Sequence, residues 1–276
     1  MIKAAVIGWP IAHSRSPLIH GYWLKAHGID GNYTKIAVRP EDVGAFLRSL
    51  AADGFAGCNV TVPHKEAAFE AADVRDPSAL AVGAANTLWL ENGKLHAANS
   101  DTYGFMRNLT VAAPQWANRL GPVAILGAGG TARAAAYGFL SEGVEDVVLV
   151  ARTVARAEEV ARALGPKVRV APWAALNDVV KDCRVVANTT TLGMNGVGAP
   201  DIDFSRCRDD LVAVDAVYTP LETPFLAAAR QAGRTGVDGL GMLLHQAVLG
   251  FSKWFGVTPE VTADLRAIIV RDIEGH

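Results

Sequence analysis

Short continuous apolar runs alternate with longer amphipathic stretches along most of the chain. Residues 3–8 form an apolar run that ends in Gly-Trp-Pro, which predicts a buried strand feeding a loop. Ser16-Pro17 opens a predicted helix, since serine favours the cap and proline fits the first turn; Gly28 ends it. A second strand is predicted over residues 32–38, a helix over 41–53 and a third strand over 57–62. Pro63 breaks that strand, and the alanine-rich residues 64–72 read as a helix. Residues 87–90 and 94–98 flank Asn92-Gly93, a pair suited to a tight hairpin turn.

The pattern changes after Asp101. Continuous apolar strands are predicted over residues 121–126, 144–150, 168–170, 184–187 and 211–217. Helical stretches at 131–141 and 154–164 lie between the first of these, and two helices close the chain at 240–255 and 259–273. Apolar strands without alternation, separated by helices, indicate a parallel sheet covered on both faces. The expected fold is α/β with two domains around a cleft. The first would cover residues 1–103 and the second, doubly wound and of Rossmann type, residues 104–236. Residues 237–276 are expected as helices that would return to the first, substrate-binding domain.

Gly127-Ala128-Gly129-Gly130-Thr131-Ala132 sits between a predicted strand and a predicted helix, where a dinucleotide site requires it. The first glycine permits the tight turn, the second lets backbone approach a pyrophosphate, and Ala132 allows close helix packing. Helix N-terminal amides would then face the phosphates. About 20 residues on, an NAD site would offer an acid at the end of the next strand. This chain has Ala151-Arg152-Thr153, with Arg156 a turn later. A guanidinium beside a hydroxyl suits a 2′-phosphate, so NADP is the expected cofactor. The plain alternative makes Arg152 and Arg156 solvated residues of a helix start.

Composition narrows the function classes. The chain has 276 residues, half of them hydrophobic, and a formal net charge of −2. Such a balance supports a sizeable core and offers no global field for a polyanion, so nucleic acid is not an expected partner. No apolar run approaches the ~18 residues of a membrane span, and no signal peptide is apparent. Three widely spaced cysteines suggest reduced thiols, hence a cytoplasmic protein. The histidines show no metal-ligand spacing, and no metal is expected.

Three polar segments stand where strand ends or loops are predicted. They are His13-Ser14-Arg15-Ser16, Asn59-Val60-Thr61-Val62-Pro63-His64-Lys65 and Asn99-Ser100-Asp101. Two hydroxyls beside a helix N-terminus can hold a carboxylate, or Ser16 is a simple cap. Lys65 beyond a buried strand is a proton-transfer group or a solvated charge, and Asp101 alone would be a cap. Together with Ala85-Asn86-Thr87, Asn188-Thr189-Thr190-Thr191, Asp215-Ala216-Val217-Tyr218 and Gly239-Leu240-Gly241-Met242, these strings resemble the shikimate dehydrogenase family over nearly the whole chain.

The resemblance implies NADP-dependent interconversion of 3-dehydroshikimate and shikimate, in aromatic amino-acid biosynthesis. It implies that Ser14 and Ser16 bind the substrate carboxylate. Thr61, Asn86, Asp101 and Gln246 would hold ring hydroxyls, and Tyr218 would add a contact. Lys65 would serve as the catalytic acid–base, with Asp101 orienting it. Thr189 would lie beside the cofactor, and Val217, Gly239 and Met242 near its nicotinamide. Closure of the domains on ligand is expected, and the protein would be a monomer or homodimer. Ala151, Gly21, Ser100 and Thr102 depart from the common family pattern but spare Lys65 and Asp101. The alternatives are a quinate/shikimate or aminoshikimate dehydrogenase with altered preference, and a non-catalytic NADP-binding sensor.

Overall fold

The strands form two six-stranded sheets in the computed structural model, which describes residues 1–275. Each sheet belongs to one of two units, Met1–Ser100 with the chain from Leu244 onward, and Asp101–Leu243.

The first unit runs β1 (Ile2–Gly8), α1 (Ser16–Ala26), β2 (Gly31–Ala37), α2 (Val43–Ser49), β3 (Phe55–Val60) and α3 (Lys65–Ala71). It continues with β4 (Val74–Arg75), α4 (Pro77–Val82), β5 (Thr87–Glu91) and β6 (Lys94–Ala98). The sheet order is β2-β1-β3-β5-β6-β4. β1, β2 and β3 are parallel, whereas β5 is antiparallel to β3 and β6. Asn59 pairs with Thr87, which pairs with Ala98, so the ends of β1 and β3 share an edge with the start of β5 and the end of β6. The hairpin between β5 and β6 turns at Asn92 and Gly93, both at positive φ, as their side chains allow.

One face of this sheet packs Ile7, Val60 and Leu88 against Leu47, Leu50 and Ala68 of the α2 and α3 region. An aromatic cluster lies between α1, β2 and the helix that closes the unit. His20 stacks on Tyr33 at 3.9 Å, and Trp23 meets Phe251 edge-on at 5.3 Å. The C-terminal helices are α10 (Leu240–Phe255) and α11 (Ala263–Glu274). The Trp254 indole donates to the Leu88 carbonyl at 2.8 Å, and Arg15 pairs with Asp272 at 2.8 Å.

The second unit runs α5 (Asp101–Ala112), β7 (Val123–Leu126), α6 (Gly130–Ser141), β8 (Val147–Ala151), α7 (Val154–Leu164) and β9 (Val168–Pro172). Then come α8 (Leu176–Val180), β10 (Val185–Asn188), β11 (Val212–Asp215), α9 (Pro224–Gln231) and β12 (Thr235–Val237). All strands are parallel, in the order β12-β11-β10-β7-β8-β9. Val123, Ile125, Val147 and Leu149 join the cluster with Phe105 and Phe139 of α5 and α6. Ala124, Leu126, Val148 and Val150 join the opposite cluster with Val180 and Phe225 of α8 and α9. Both faces are therefore covered, which explains the continuous apolar strands.

Several elements differ from the sequence expectation. The helix expected over 41–53 is the shorter α2, because Leu50–Gly54 turns and Gly54 adopts positive φ. The strand expected from 144 starts at Val147: Gly143 and Val144 instead close α6 by bonding Leu140 and Phe139 carbonyls. Ser16 does not cap α1; Arg15 occupies that position and no side-chain cap bond forms. Asp101 likewise lies inside the first turn of α5 rather than ahead of it. No helix among the described residues is long and apolar enough to cross a membrane.

Gly57 is a tight point of the first sheet. A Cβ there would run into the Leu88 carbonyl and the Trp254 indole. Gly57→Ala is expected to lower unfolding stability by roughly 1–3 kcal/mol through overpacking. Urea denaturation checks this, and a midpoint equal to wild type would contradict the packing described.

Candidate active site

In the first sheet the strand order reverses between β1 and β3, so the loops after these strands diverge at one edge. Crevices at such switch points are where α/β sheets place ligands. Trp9 N donates to Val62 O at 3.1 Å, and Thr61 N to Ile7 O at 2.9 Å. Ser14 Oγ accepts from Ser16 N at 3.4 Å, and Ser16 is buried. The Ser16 hydroxyl lies beside the Tyr33 phenol, which donates to Asn59 Oδ1 at 2.7 Å. Burial holds the Tyr33 phenol well above its ordinary range and drops the His20 imidazole beneath it to about 3.

The string of polar groups continues through Asn59, whose Nδ2 donates to Asn86 O at 3.1 Å and Thr87 Oγ1 at 3.2 Å. Asn86 Oδ1 lies 2.8 Å from Ser100 N, 3.1 Å from Ser100 Oγ and 3.0 Å from Thr87 Oγ1. The carbonyl end of the Asn86 amide is thus held by the scaffold, which orients its amino end. Ser100 Oγ also stands 3.5 Å from Gln246 Oε1. Ser16, Asn86 and Gln246 are therefore joined through Tyr33, Asn59, Thr87 and Ser100. Ser100 supplies the hydroxyl that this string uses.

Thr61 and Lys65 follow β3 at the same edge, and both are half-buried. The start of α3 is anchored twice. His64 Nε2 is 2.7 Å from Val38 O, and Lys65 O accepts from Ala85 N at 2.9 Å. These bonds fix the backbone from which the Lys65 ammonium extends.

In the second unit the switch point falls at β7, whose neighbours are β8 and β10. Gly127 takes φ +115°, a conformation that favours glycine, and donates its N–H to Val150 O at 2.9 Å. A Cβ on Gly127 would meet Thr189 Oγ1 at 3.1 Å, and Thr189 Oγ1 itself donates to Leu126 O at 2.6 Å. Gly129 is the N-cap of α6 and supplies no side-chain cap. Cβ atoms on Gly129 or Gly130 would enter open space. A side chain there would fill the space ahead of the α6 amides, so these residues fit a pyrophosphate. Ala132 is fully buried against the sheet, while Ala128 and Thr131 are half-buried beside the turn.

Ala151 ends β8 and is buried, whereas Arg152, Thr153 and Arg156 are exposed beyond it. On the other side of β7, Asn188 and Asp215 end β10 and β11. Strand ends from β8 to β11 span about 14 Å, at ~4.8 Å per strand. At the far end Gly239 N donates to Val217 O at 3.3 Å, and a Cβ on Gly239 would crowd that carbonyl at 2.8 Å. Tyr218 is half-buried in the following segment, and Met242 packs against the core cluster of α5 and α6.

Asp215 is almost fully buried and accepts from Asn188 Nδ2 and Val217 N, each at 2.9 Å, and from Thr223 Oγ1 at 2.7 Å. Burial pushes its carboxyl up to about 6, against these hydrogen bonds, which favour the ionised form.

A family model described as the shikimate dehydrogenase substrate binding domain matches residues 6–88. One described as shikimate / quinate 5-dehydrogenase matches 116–205, and one described as the shikimate 5′-dehydrogenase C-terminal domain matches 239–269. Shikimate dehydrogenase (NADP(+)) of Azorhizobium caulinodans is 53% identical over 273 residues, covering 99% of this chain and 97% of that one. The chain belongs to the shikimate dehydrogenase family. Among solved structures of similar fold is shikimate 5-dehydrogenase of Thermus thermophilus in complex with NADP(H) and shikimate. It is 32% identical, with a TM-score of 0.87 and 99% and 100% of the two chains covered. Quinate dehydrogenase of Corynebacterium glutamicum, in complex with NAD, is 30% identical with a TM-score of 0.89, covering 98% of each chain.

Within this family chain, three groups to which the sequence reading gave no role hold candidate residues in place. Tyr33 and Thr87 join the string in the first unit, and Thr223 meets Asp215 in the second. Tyr33 lies within β2 and Thr87 opens β5, whereas Thr223 caps α9. Such positions in the sequence do not tell which neighbour the side chain will meet.

Proposed function

We propose that this chain catalyses the NADP-dependent interconversion of 3-dehydroshikimate and shikimate, a step of aromatic amino-acid biosynthesis. The observation that carries this reading is the open α6 N-terminus of Gly129 and Gly130, followed by Arg152 and Thr153 where an acid would serve NAD. The hydroxyls and amides at the edge of the first sheet suit a small ring acid bearing several hydroxyls. The protein works in the cytoplasm on this small molecule, as a monomer or homodimer.

Carbonyl reduction requires a hydride at carbon and a proton at oxygen. NADP, when bound, supplies or accepts the hydride. Gly127, Ala128, Gly129, Gly130 and Thr131 hold its pyrophosphate, and Ala151, Arg152, Thr153 and Arg156 its 2′-phosphate end. Thr189, Val217, Gly239 and Met242 line the other end. Ser14 and Ser16 bind the substrate carboxylate, and Thr61, Asn86, Tyr218 and Gln246 bind its hydroxyls. Lys65 Nζ gives the proton to the carbonyl oxygen in reduction and takes it back in oxidation. Asp101 is the second catalytic residue of this reading, in an orienting role. A substrate that covers one of these polar groups without pairing it loses about 1–3 kcal/mol, so the site discriminates by hydroxyl pattern.

Initial rates with shikimate and quinate, each with NADP and NAD, test the reading. A kcat/KM led by shikimate with NADP is expected; a quinate-led profile would make the chain a quinate dehydrogenase, and no turnover with any pair would remove the enzyme reading. Lys65→Ala is expected to cut kcat by roughly 10²–10⁴ while the NADP Kd, measured by fluorescence titration, stays within about twofold. An ordinary kcat would remove Lys65 from proton transfer. Arg152→Ala is expected to weaken NADP by about tenfold or more and to leave NAD nearly unaffected. Equal losses for both would show that Arg152 does not read the 2′-phosphate.

A further inference from the structure

The segment 216–222 leaves the end of β11, carries Val217 and Tyr218, and returns at Thr223 into α9. It has no regular secondary structure, yet its two ends meet on one buried side chain. Asp215 Oδ1 accepts from Val217 N at 2.9 Å, at the outgoing end. Asp215 Oδ2 accepts from the Thr223 hydroxyl at 2.7 Å, at the returning end. Asn188 Nδ2 donates to the same carboxylate at 2.9 Å and to Leu192 O at 2.9 Å, joining the loop after β10 to it. Thr219 O accepts from Asn195 N at 2.8 Å, a second tie between these two loops.

The chemistry of this cluster is specific. Asn188 Nδ2 and Val217 N can only donate to Asp215, and the Thr223 hydroxyl donates to it as well, so Asp215 accepts from all three. A carboxylate does so with acceptor oxygens alone, whereas an amide of equal size would turn an N–H toward a backbone or amide donor, or toward the Thr223 hydroxyl, whose bond would then have to reverse. Thr223 is fully buried, and its Oγ1 also accepts from Leu226 N at 3.3 Å, which caps α9. One hydroxyl therefore sets the start of α9 and the end of the segment together. A buried carboxylate is costly to the fold, and its burial raises its proton affinity. Its retention is intelligible if what it secures is the path of segment 216–222.

We infer that Asp215, with Thr223, is a positioning residue for the reaction: it pins both ends of segment 216–222 and so sets where Tyr218 meets the substrate. This rests on the reading of Tyr218 as a substrate contact. The glycine turn after β7 is held through Gly127 N–H on Val150 O, and Arg152 follows β8, which pairs with β7 and β9; Asp215 and Thr223 take part in none of these bonds, so binding of the 2′-phosphate end does not depend on the latch.

The test compares Thr223→Val, which keeps the shape and removes the hydroxyl, with Thr223→Ser, which keeps the hydroxyl. Asp215→Asn serves as a second probe of the same bonds. Thr223→Val is expected to raise KM for shikimate by roughly three- to tenfold, the worth of one hydrogen bond, with the NADP Kd unchanged within about twofold. Thr223→Ser is expected to restore the wild-type KM. In a Tyr218→Phe background, Thr223→Val is expected to add less than about twofold, because the latch acts through the tyrosine. The inference is overturned if Thr223→Val and Asp215→Asn both fold with a wild-type shikimate KM, if shikimate and NADP are weakened alike, or if the full effect persists without the Tyr218 hydroxyl. Absence of shikimate turnover by the wild-type enzyme would instead overturn the proposed function, and the inference with it.

Discussion

A strand that ends at a sheet's carboxyl edge leaves backbone groups that its neighbours no longer pair. When that edge is buried, those groups need partners, since an unpaired buried polar group costs about 1–3 kcal/mol. Both sheets of this protein meet that requirement with polar side chains along their carboxyl edges. In the first, Asn59 and Asn86 bond the ends of β3 and β5 through Asn59 Nδ2 and the Asn86 carbonyl. In the second, the Thr189 hydroxyl takes the Leu126 carbonyl at the end of β7, and Asp215 takes the Val217 amide beyond β11. The polar groups that finish the sheets are the groups around which the proposed sites are built.

This arrangement makes the site rigid without a large local core. The Asn86 amide is fixed because its carbonyl oxygen faces Ser100 and Thr87 donors, and Ser100 in turn stands by Gln246 of α10. Tyr33 is fixed by His20 stacked on its ring and by Asn59 at its hydroxyl. Side chains held in this way lose little further freedom when a ligand arrives, which favours recognition of a small, heavily hydroxylated acid. The dinucleotide half uses the opposite device. Gly129 and Gly130 leave space and backbone amides where a side chain would otherwise stand, and exposed Arg152 and Arg156 supply charge.

How far the sequence could be read depends on how locally each element is determined. β7, β8, β10 and β11 are legible because strands buried on both faces are continuous apolar runs. α7 and α10 have the bounds expected for them, and Asn92-Gly93 marks its hairpin through a local φ preference. α5 was not legible from its first turn, since Asp101-Thr102-Tyr103-Gly104 contains a glycine and reads as a loop. The two-residue β4 exists only because β6 pairs with it. Ser16 shows the limit at a site residue: a favoured cap by propensity, it is turned inside the first helical turn and buried near Tyr33.

The chain's residues by themselves determined an α/β protein, a glycine turn opening a helix, an arginine where NAD would want an acid, and the motifs of the family. Each of these follows from local propensity or from residue types at short spacing. Tertiary structure alone decided that antiparallel β5 brings Asn86 to the carboxyl edge of β3, and that Tyr33 and Thr87 join Ser16 to Gln246. It alone decided that Asp215 closes both ends of the segment bearing Tyr218. Those outcomes depend on strand direction, register and burial, which are set by contacts between residues far apart in sequence.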